Sequence, residues 1–497
     1  MEAHPFLKIN PADNVVVALQ DLTKGQEVNV DDRCIIVGEA IPAGHKLALK
    51  DFAEGDHVIK YGYPIGHARF AVAKGSWINE KNIKTNLDGV LEYTYEPNLT
   101  YPDVAKRDLT FKGYRRANRE VGIRNEVWII PTVGCVNGIV QQLAEKLRME
   151  TYGKGVDAIV AFPHNYGCSQ LGDDHANTRK ILLDMVQHPN AGGVLVVGLG
   201  CENNQISVFK EMLGEIDPTR IKFMETQKVK DELEEGLSLL REIYEVVSKD
   251  ERSECSISEL KIGLKCGGSD GFSGITGNPL LGVFSDFLIA QGGTTILTEV
   301  PEMFGAETIL MNRAESKLVF DKTVFLINDF KEYFINNEQP IYENPSPGNK
   351  AGGISTLEDK ALGCTQKCGQ AVVRDVLSYG DRLKVNGLNL LSAPGNDLVA
   401  STALGAAGCQ LVLFTTGRGT PFGSFVPTMK ISTNTPLFEN KPGWIDFNAG
   451  SIVQGESMED ATVRFITYLI EVANGTLVNN EKKGYREISI FKTGVTL

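Results

Sequence analysis

The 497-residue sequence lacks the segments that would direct it out of the cytoplasm or into a membrane. No stretch approaches the ~18 consecutive apolar residues that a membrane-spanning helix needs. The first residues, MEAHPFLKIN, contain neither the basic nor the apolar region of a secretory signal peptide. We therefore expect a cytoplasmic protein with no membrane partner.

Positive charge is scarce. The chain has 50 Lys and Arg residues against 63 Asp and Glu residues, which gives a formal net charge of −13 at pH 7. Nucleic acids and anionic membrane surfaces attract basic proteins, so neither is an expected partner. A small anionic substrate remains compatible, because a local cationic pocket can lie within an acidic protein.

Nucleotide-binding fingerprints are also missing, although the chain is rich in glycine. The stretches GLGCEN and GRGTPF lack the third glycine of G-x-G-x-x-G, and no G-x-x-x-x-G-K-[ST] occurs. An iron–sulfur redox protein that uses a flavin or nicotinamide is therefore disfavoured.

The length requires several domains. Residues 1–96 contain short β-rich runs separated by turns (VVVAL, RCIIV, HKLAL, HVIKY and VLEYTY), which predict an all-β module. Residues 97–109 are polar, contain two prolines and predict a linker. Two α/β domains are expected to follow.

The first of these domains, residues 110–250, alternates strand and helix patterns and ends in a long amphipathic helix over about 226–248. The second, residues 255–497, is also α/β but richer in glycine. Repeated β–α units place parallel strands in one sheet with helices on its faces. The expected fold class is thus multidomain α/β with mainly parallel sheets and a small N-terminal all-β module.

Cysteine usage does not fit a disulfide framework, because nine cysteines is an odd number in a cytoplasmic chain. Cys34, Cys255 and Cys409 have no special context and are expected to be small buried hydrophobes. Cys135, Cys168 and Cys201 differ, because each follows a glycine at the end of a predicted strand, at successive spacings of 33 residues.

Those three Gly-Cys turns predict a metal site. Ligands bind at the carboxyl ends of parallel strands, and the start of a following helix favours the thiolate form. Three thiolates leave one position of an iron–sulfur or zinc site open for a substrate. Two alternatives remain: the spacing reflects only a repeated βα unit, or one thiol is a nucleophile.

Other candidates are single residues. His45, in IPAGHKLAL, follows a turn and has the side chain of a general base. Arg418, in TTGRGT, could bind a carboxylate through two hydrogen bonds, and Lys430 and Lys360 are further candidate cations. Each of these residues could instead be a structural histidine or a solvated charge.

Several longer motifs carry a family resemblance along the whole chain. AGHKLAL…GDHVIKYGYPIGHA resembles a β-clip module of the SAF type. The central domain of one family is resembled by three stretches of this chain, FKGYRRANREVGIRN, PTVGCVNG and GLGCEN. The C-terminal domain of the same family is resembled by four more, CGGSDGFSGITGNPLLG, LTEVPEMFGAE, GGISTLEDKALG and FTTGRGTPFG. That family is the altronate and galactarate dehydratases, sugar-acid hydro-lyases of bacterial hexuronate catabolism.

The resemblance implies iron-dependent dehydration of a small anionic sugar acid. In altronate the C2 proton and the C3 hydroxyl leave, and the enol becomes 2-dehydro-3-deoxy-D-gluconate. Positive charge must then stabilise the substrate carboxylate. His45 and Lys360 become the candidate catalytic residues. The candidate substrate-binding residues are Ser269, Asp270, Asn278, Arg418 and Lys430.

The cofactor expected from the resemblance is iron, either as Fe²⁺ or as an iron–sulfur cluster with an open iron site. We infer that Cys135, Cys168 and Cys201 hold it, with His45 and oxygen ligands as an alternative. Chain length and the plain N-terminus favour altronate over galactarate, which has two carboxylates and needs two cations. Sulfolactate lyase activity is a third option within the fold, and a non-catalytic sugar-binding protein belongs to a different class. A homo-oligomer is compatible with the sequence.

Overall fold

The computed structural model of the protein describes residues 5–31 and 33–497. Its N-terminal part is an antiparallel all-β module with sheets ordered β1-β2-β5-β8, β3-β4 and β6-β7-β9. The strands are β1 (Phe6–Leu7), β2 (Val15–Ala18), β3 (Glu27–Val30), β4 (Arg33–Ile36), β5 (Lys46–Ala48), β6 (His57–Lys60), β7 (Tyr63–Ala68), β8 (Trp77–Ile78) and β9 (Ile83–Lys84).

The last strand expected in this region is absent. Residues 90–95, VLEYTY, are all described and form no strand. The segment instead runs along the C-terminal domain, where the Tyr93 hydroxyl donates to Glu307 at 2.7 Å and the Tyr95 hydroxyl to the Ala314 carbonyl at 2.7 Å. The alternating pattern therefore reflects aromatic contacts with another domain.

The central region is built on a parallel sheet with the order β13-β12-β14-β15, next to a small antiparallel sheet, β11-β10-β16. Its helices are α1 (Asn137–Thr151), α2 (Gly172–Val186), α3 (Ile206–Leu213) and α4 (Glu232–Val247). Its strands are β10 (Thr110–Arg115), β11 (Val121–Gly122), β12 (Glu126–Pro131), β13 (Ala158–Ala161), β14 (Ala191–Gly198), β15 (Ile221–Glu225) and β16 (Ser253–Ser256).

Helix α4 is shorter than the sequence pattern predicts. Residues Thr226–Lys228 form a separate 3₁₀ turn, and Asp231 begins α4 by accepting hydrogen bonds from the amides of Leu233 and Glu234. An N-capping carboxylate satisfies amide groups that have no partner within the helix, so it fixes the first residue of α4.

The C-terminal region is a seven-stranded parallel sheet with the order β19-β20-β18-β17-β21-β22-β23. Its strands are β17 (Lys261–Cys266), β18 (Thr294–Leu297), β19 (Val373–Leu377), β20 (Gly387–Leu391), β21 (Leu411–Thr416), β22 (Thr428–Ser432) and β23 (Phe447–Asn448). Its helices are α5 (Gly277–Ala290), α6 (Glu307–Met311), α7 (Lys317–Asn336), α8 (Pro347–Ala351), α9 (Leu357–Cys364), α10 (Asp397–Ala406), α11 (Thr435–Asn440), α12 (Met458–Ala473) and α13 (Asn479–Lys483).

These elements confirm the predicted fold class. An antiparallel β module precedes regions whose main sheets are parallel and covered by helices. Among the described residues, no helix combines the length and the apolar character needed to cross a membrane.

Apolar cores join the three regions. Val15, Phe52 and Ile65 of the β module share one buried cluster with Ala361 and Leu362 of α9. Helices α2 and α10 pack together in another cluster, which connects the central region to the C-terminal one.

A buried ion cluster fixes the β module on α9. Lys46 and Lys60 place their ammonium groups 2.8 and 2.9 Å from the two carboxylate oxygens of Asp359, and all three side chains are at most 2% exposed. Burial raises the pKa of Asp359, but the attraction of Lys46 and Lys60 outweighs it, so the pKa lies below its usual value. The carboxylate stays ionised and holds β5 and β6 against the start of α9.

We expect Asp359→Asn to destabilise the protein by about 3–5 kcal/mol, because it leaves two buried lysines without a counter-charge. Urea and thermal unfolding measure the loss. Asp321→Asn is the matched control, since Asp321 pairs with Lys317 on the surface of α7 and such pairs contribute about 0.3–0.5 kcal/mol. Equal effects of the two substitutions would contradict the assigned role of Asp359.

Candidate active site

The candidate site lies at the carboxyl ends of three neighbouring strands of the C-terminal sheet, where ligands bind in open α/β folds. Strand β17 ends at Cys266, β18 leads into a turn at Val300–Glu302, and β20 leads into the loop before α10. Glu299 starts the turn with a backbone φ of 69°, in the left-handed region that residues other than glycine rarely adopt. Such backbone strain concentrates at functional sites.

Two thiols and one carboxylate meet at these strand ends. Cys266 Sγ lies 3.0 Å from Glu302 Oε2, Cys364 Sγ lies 3.2 Å from the same oxygen, and the two sulfurs are 3.3 Å apart. All three residues are buried, and their three donor atoms lie within 4.8 Å of one another. Two sulfurs and a carboxylate oxygen form a donor set that suits a transition metal and leaves further positions open.

Lysines neutralise the acids around this thiol pair. Lys360 Nζ lies 2.8 Å from Glu302 Oε1, Lys265 pairs with Glu299 and lies 2.8 Å from Asp397, and Lys367 lies 3.6 Å from Glu299. These pairs make the buried charges tolerable, since an ion without a partner is costly in a low-dielectric interior.

The pairs also set the protonation states. Burial raises the pKa of Glu302, but attraction by Lys360, Lys265 and Lys367 outweighs it, so the pKa of Glu302 is lowered. Burial lowers the pKa of Lys360, but Glu302 and the two cysteines raise it by more. The net pKa lies above the usual value for lysine, so Lys360 stays a cation.

Either sulfur can be the donor in the hydrogen bond between Cys266 and Cys364. This contact lowers the pKa of Cys266 and raises that of Cys364.

A cavity of about 460 Å³ opens onto this cluster. Cys266, Glu302 and Lys360 lie among its lining residues, together with Asn344 and Asn349, whose side-chain oxygens accept from Lys360 Nζ at 3.0 and 3.3 Å. Apolar and aromatic side chains line the rest of the wall: Phe330, Tyr333, Phe334, Ile341 and Phe491. The cavity volume is in the usual range for small-molecule sites, about 300–1,000 Å³.

A larger groove of about 890 Å³ runs between α2 and α7. Among its charged lining residues, Lys180, Asp321 and Lys322 are surface side chains engaged in exposed ion pairs. Convergent buried polar groups with shifted pKa values mark a functional site more reliably than volume does, so we assign the site to the smaller cavity.

Four of the residues predicted from sequence meet in a small chamber that shares Lys360 with the main cavity. Ser269, Asp270, Asn278 and Lys360 all line this space of about 10 Å³. The Ser269 hydroxyl is buried and has no hydrogen-bond partner among the described residues. Such an orphaned group fits a bound water or ligand oxygen.

Asp270 and Asn278 are held by protein groups. Thr433 donates to Asp270 at 2.8 Å, while the Asn278 amide donates to the Gly363 carbonyl at 3.0 Å and accepts from Thr415 at 2.7 Å. Their contacts fix the loop after β17 rather than leave polar atoms for a ligand.

His45 is committed to structural contacts, which does not support its predicted role as an acid or base. Its Nδ1 accepts from the Trp77 indole at 3.0 Å, so Nε2 carries the proton and donates to the Ala351 carbonyl at 3.2 Å. Burial lowers its pKa, which keeps the ring neutral. His45 thus orders the contact between the β module and the end of α8.

Neither of the two remaining predicted cations lines the main cavity. Arg418 is exposed, although its backbone amide donates to the carbonyl of Gly268, a lining residue, at 2.9 Å. Lys430 is buried in β22 and lines none of the described cavities, and its ammonium group has no hydrogen-bond partner in the described parts of the chain. Its placement gives no support to substrate binding.

The three Gly-Cys turns lie on adjacent loops of the central sheet, after β12, β13 and β14. Hydrogen bonds join these loops: the Ser169 amide donates to Asn203 at 3.0 Å, and the Asn204 amide to the Gly167 carbonyl at 3.2 Å. Cys135, Cys168 and Cys201 are all exposed.

Their sulfurs do not form a set within 4.8 Å of one another among the described residues. A single ion would need that spacing, whereas a multi-iron cluster joins thiolates that lie farther apart. Metal binding by these cysteines stays a prediction.

Sequence reasoning missed the thiol pair. Cys266 ends the strand KIGLKC before two glycines, and Cys364 follows a glycine in KALGC, so both share the Gly-adjacent setting that singled out the other three. Of the cysteines expected to be buried fillers, Cys255 and Cys409 are buried, but Cys34 is exposed because it lies on the two-stranded β3-β4 hairpin.

The substitution Lys430→Met tests whether Lys430 is only a buried charge in the fold or also binds the substrate. Burial lowers the pKa of Lys430 to about 8, so below pH 8 the folded protein contains a buried charge. Stability should rise with pH between about 8 and 10.5, where only the unfolded chain still binds the proton. We expect Lys430→Met to stabilise the protein by about 1–3 kcal/mol at pH 7 and by little at pH 10.

Thermal unfolding at both pH values measures this effect, with the exposed Lys24→Met as the control. A destabilised Lys430→Met protein with a raised KM would contradict the structural assignment.

Comparisons with known proteins cover the whole chain. Family models match residues 4–86 (altronate/galactarate dehydratase SAF domain), 113–248 (D-galactarate dehydratase/altronate hydrolase, second domain) and 257–496 (D-galactarate/altronate dehydratase, C-terminal).

Relatives agree with these models. The altronate dehydratase of Bacillus subtilis (strain 168) is 59% identical over 494 residues, 99% of both chains. That of Escherichia coli (strain K12) is 56% identical over 493 residues, 99% of this chain and 100% of the relative. The galactarate dehydratase (L-threo-forming) of E. coli is 33% identical over 95% of this chain and 93% of its own. The chain therefore belongs to the altronate/galactarate dehydratase family.

Proposed function

We propose that this protein dehydrates altronate to 2-dehydro-3-deoxy-D-gluconate and water. Identities of 59% and 56% to altronate dehydratases, against 33% to a galactarate dehydratase, support the substrate. The observation that carries the reaction class is the buried cluster of Cys266, Glu302, Cys364 and Lys360 at the wall of a cavity of sugar-acid size.

Lys360 has the charge that this reaction requires. Loss of the C2 proton places negative charge on the substrate carboxylate, and a fixed cation in a low-dielectric site stabilises that charge. Lys360 remains protonated, and Glu302, Asn344 and Asn349 hold its ammonium group in place. All three N–H groups of Lys360 are engaged in these contacts, so we propose that the substrate carboxylate binds here by replacing the longest one, to Asn349.

The surrounding side chains control solvent and orientation. The aromatic wall formed by Phe330, Phe334 and Phe491 excludes water from the reacting carbons. The unpaired Ser269 hydroxyl lines the small chamber beside Lys360, whose volume of about 10 Å³ suits at most one ordered water.

We propose iron as the cofactor, and two ligand sets fit it in different forms. Cys266, Glu302 and Cys364 have the spacing for a single ion, whereas Cys135, Cys168 and Cys201 fit only a cluster with an open iron. Bound iron would act as a Lewis acid that eases departure of the C3 hydroxyl.

We also propose a place in hexuronate catabolism and a cytoplasmic location. All nine cysteines are free, which fits a reducing compartment.

Lys360→Met should lower kcat/KM for altronate by about 100-fold or more, because it removes the charge that stabilises the developing anion. Lys360→Arg should recover part of the loss. Steady-state assays of keto-acid formation measure both, and melting temperatures verify that the variants fold. Lys322→Met, at an exposed ion pair on α7, is the control. A Lys360→Met enzyme that keeps more than a tenth of the wild-type rate would overturn the role of Lys360.

The iron proposal is tested on protein purified without oxygen, by measuring bound iron, acid-labile sulfide and altronate dehydration before and after exposure to air. Iron with sulfide, lost in Cys201→Ser but kept in Cys364→Ser, indicates a cluster on the Gly-Cys turns. Iron without sulfide and the opposite pattern in the variants indicates a single ion at the thiol pair. Cys409→Ser is the control, and an active enzyme without iron would refute the proposal.

A further inference from the structure

The main cavity contains one cation and three acids among the lining residues that the structure describes. Lys360 is the cation. Two of the acids are already paired, because Glu302 binds Lys360 at 2.8 Å and Asp397 binds Lys265 at 2.8 Å. The third, Glu343, is exposed and has no hydrogen bond or ion pair with any described residue. The cavity therefore offers a single carboxylate site and a free negative charge elsewhere.

The position of Glu343 relative to Lys360 is fixed by the chain around it. Asn344, the next residue, accepts from Lys360 Nζ at 3.0 Å, and Asn349 accepts from the same atom at 3.3 Å. Ser346 and Asn349 form the capping box that begins α8. The segment that carries Glu343 is thus bound to the proposed carboxylate site at two points.

A dicarboxylic sugar acid has no suitable place for its second carboxylate in this cavity. Beyond Lys360, the lining residues that the structure describes include no second cation, only apolar, aromatic and uncharged polar side chains and acids, so a second carboxylate would lose hydration without gaining a counter-charge. A sugar acid with a terminal hydroxyl can hydrogen-bond to Glu343 instead. The same residue therefore disfavours one substrate class and accepts the other.

We propose that Glu343 determines selectivity for sugar acids with one carboxylate by repelling the second carboxylate of an aldaric acid. The inference rests on the proposed function, since it takes Lys360 as the site of the first carboxylate. Discrimination by a misplaced like charge is a common source of specificity. Glu343 is exposed, so salt should weaken the repulsion.

The experiment compares altronate with galactarate in wild type, Glu343→Gln and Glu343→Arg. The ratio of kcat/KM for galactarate to that for altronate should rise a few fold in Glu343→Gln and at least about tenfold in Glu343→Arg. The dissociation constant of galactarate, measured by calorimetry, should fall in parallel, and the difference from wild type should shrink as salt increases. Glu54→Arg makes the same change in net charge as Glu343→Arg, on an exposed turn of the β module. It should leave the kcat/KM ratio and the dissociation constant of galactarate unchanged.

Unchanged ratios in a folded Glu343→Arg protein would overturn the inference, and so would an equal change in Glu54→Arg. A wild-type enzyme that binds altronate without dehydrating it would refute the proposed function alone. In that case, the dissociation constants of galactarate and altronate in the Glu343 variants would still decide the role of Glu343.

Discussion

The pairing of buried charge is the constraint on which the rest of this structure depends. A lysine or carboxylate removed from water needs a counter-charge, and here the partners come from distant parts of the chain. Lys46 and Lys60 of the β module meet Asp359 of α9, while Lys360 meets Glu302 after β18. The same short helix thus attaches the N-terminal module and shapes the candidate site.

Helix α9 combines three tasks within eight residues. Asp359 binds the β module, Lys360 supplies the cavity with its one cation among the described lining residues, and Cys364 completes the thiol pair. The ion pairs of the β module with Asp359 therefore anchor the same helix that carries Lys360 and Cys364.

Parallel sheets explain why this chain has two groups of cysteines. Each sheet gathers its strand ends at one edge, and glycines there allow tight turns beside a thiol. The central sheet collects Cys135, Cys168 and Cys201 in exposed loops, and the C-terminal sheet buries Cys266 next to Cys364. Burial and the neighbouring lysines distinguish the chemistry of the second group from that of the first.

The sequence alone determined the fold class and the family, because periodicity, turn residues and long motifs are local features of the chain. Its motifs also predicted Ser269, Asp270, Asn278 and Lys360 as site residues; the four lie close in space because the motifs follow a strand end or lie on α9, and their roles stay predictions. Only the tertiary structure decided that His45 is engaged in structural hydrogen bonds and that Lys430 is buried outside the cavity lining. It also decided that Cys266, Glu302 and Cys364 meet. Those outcomes depend on contacts between residues far apart in sequence, and on the pKa shifts that burial and charge pairing produce, which no local pattern encodes.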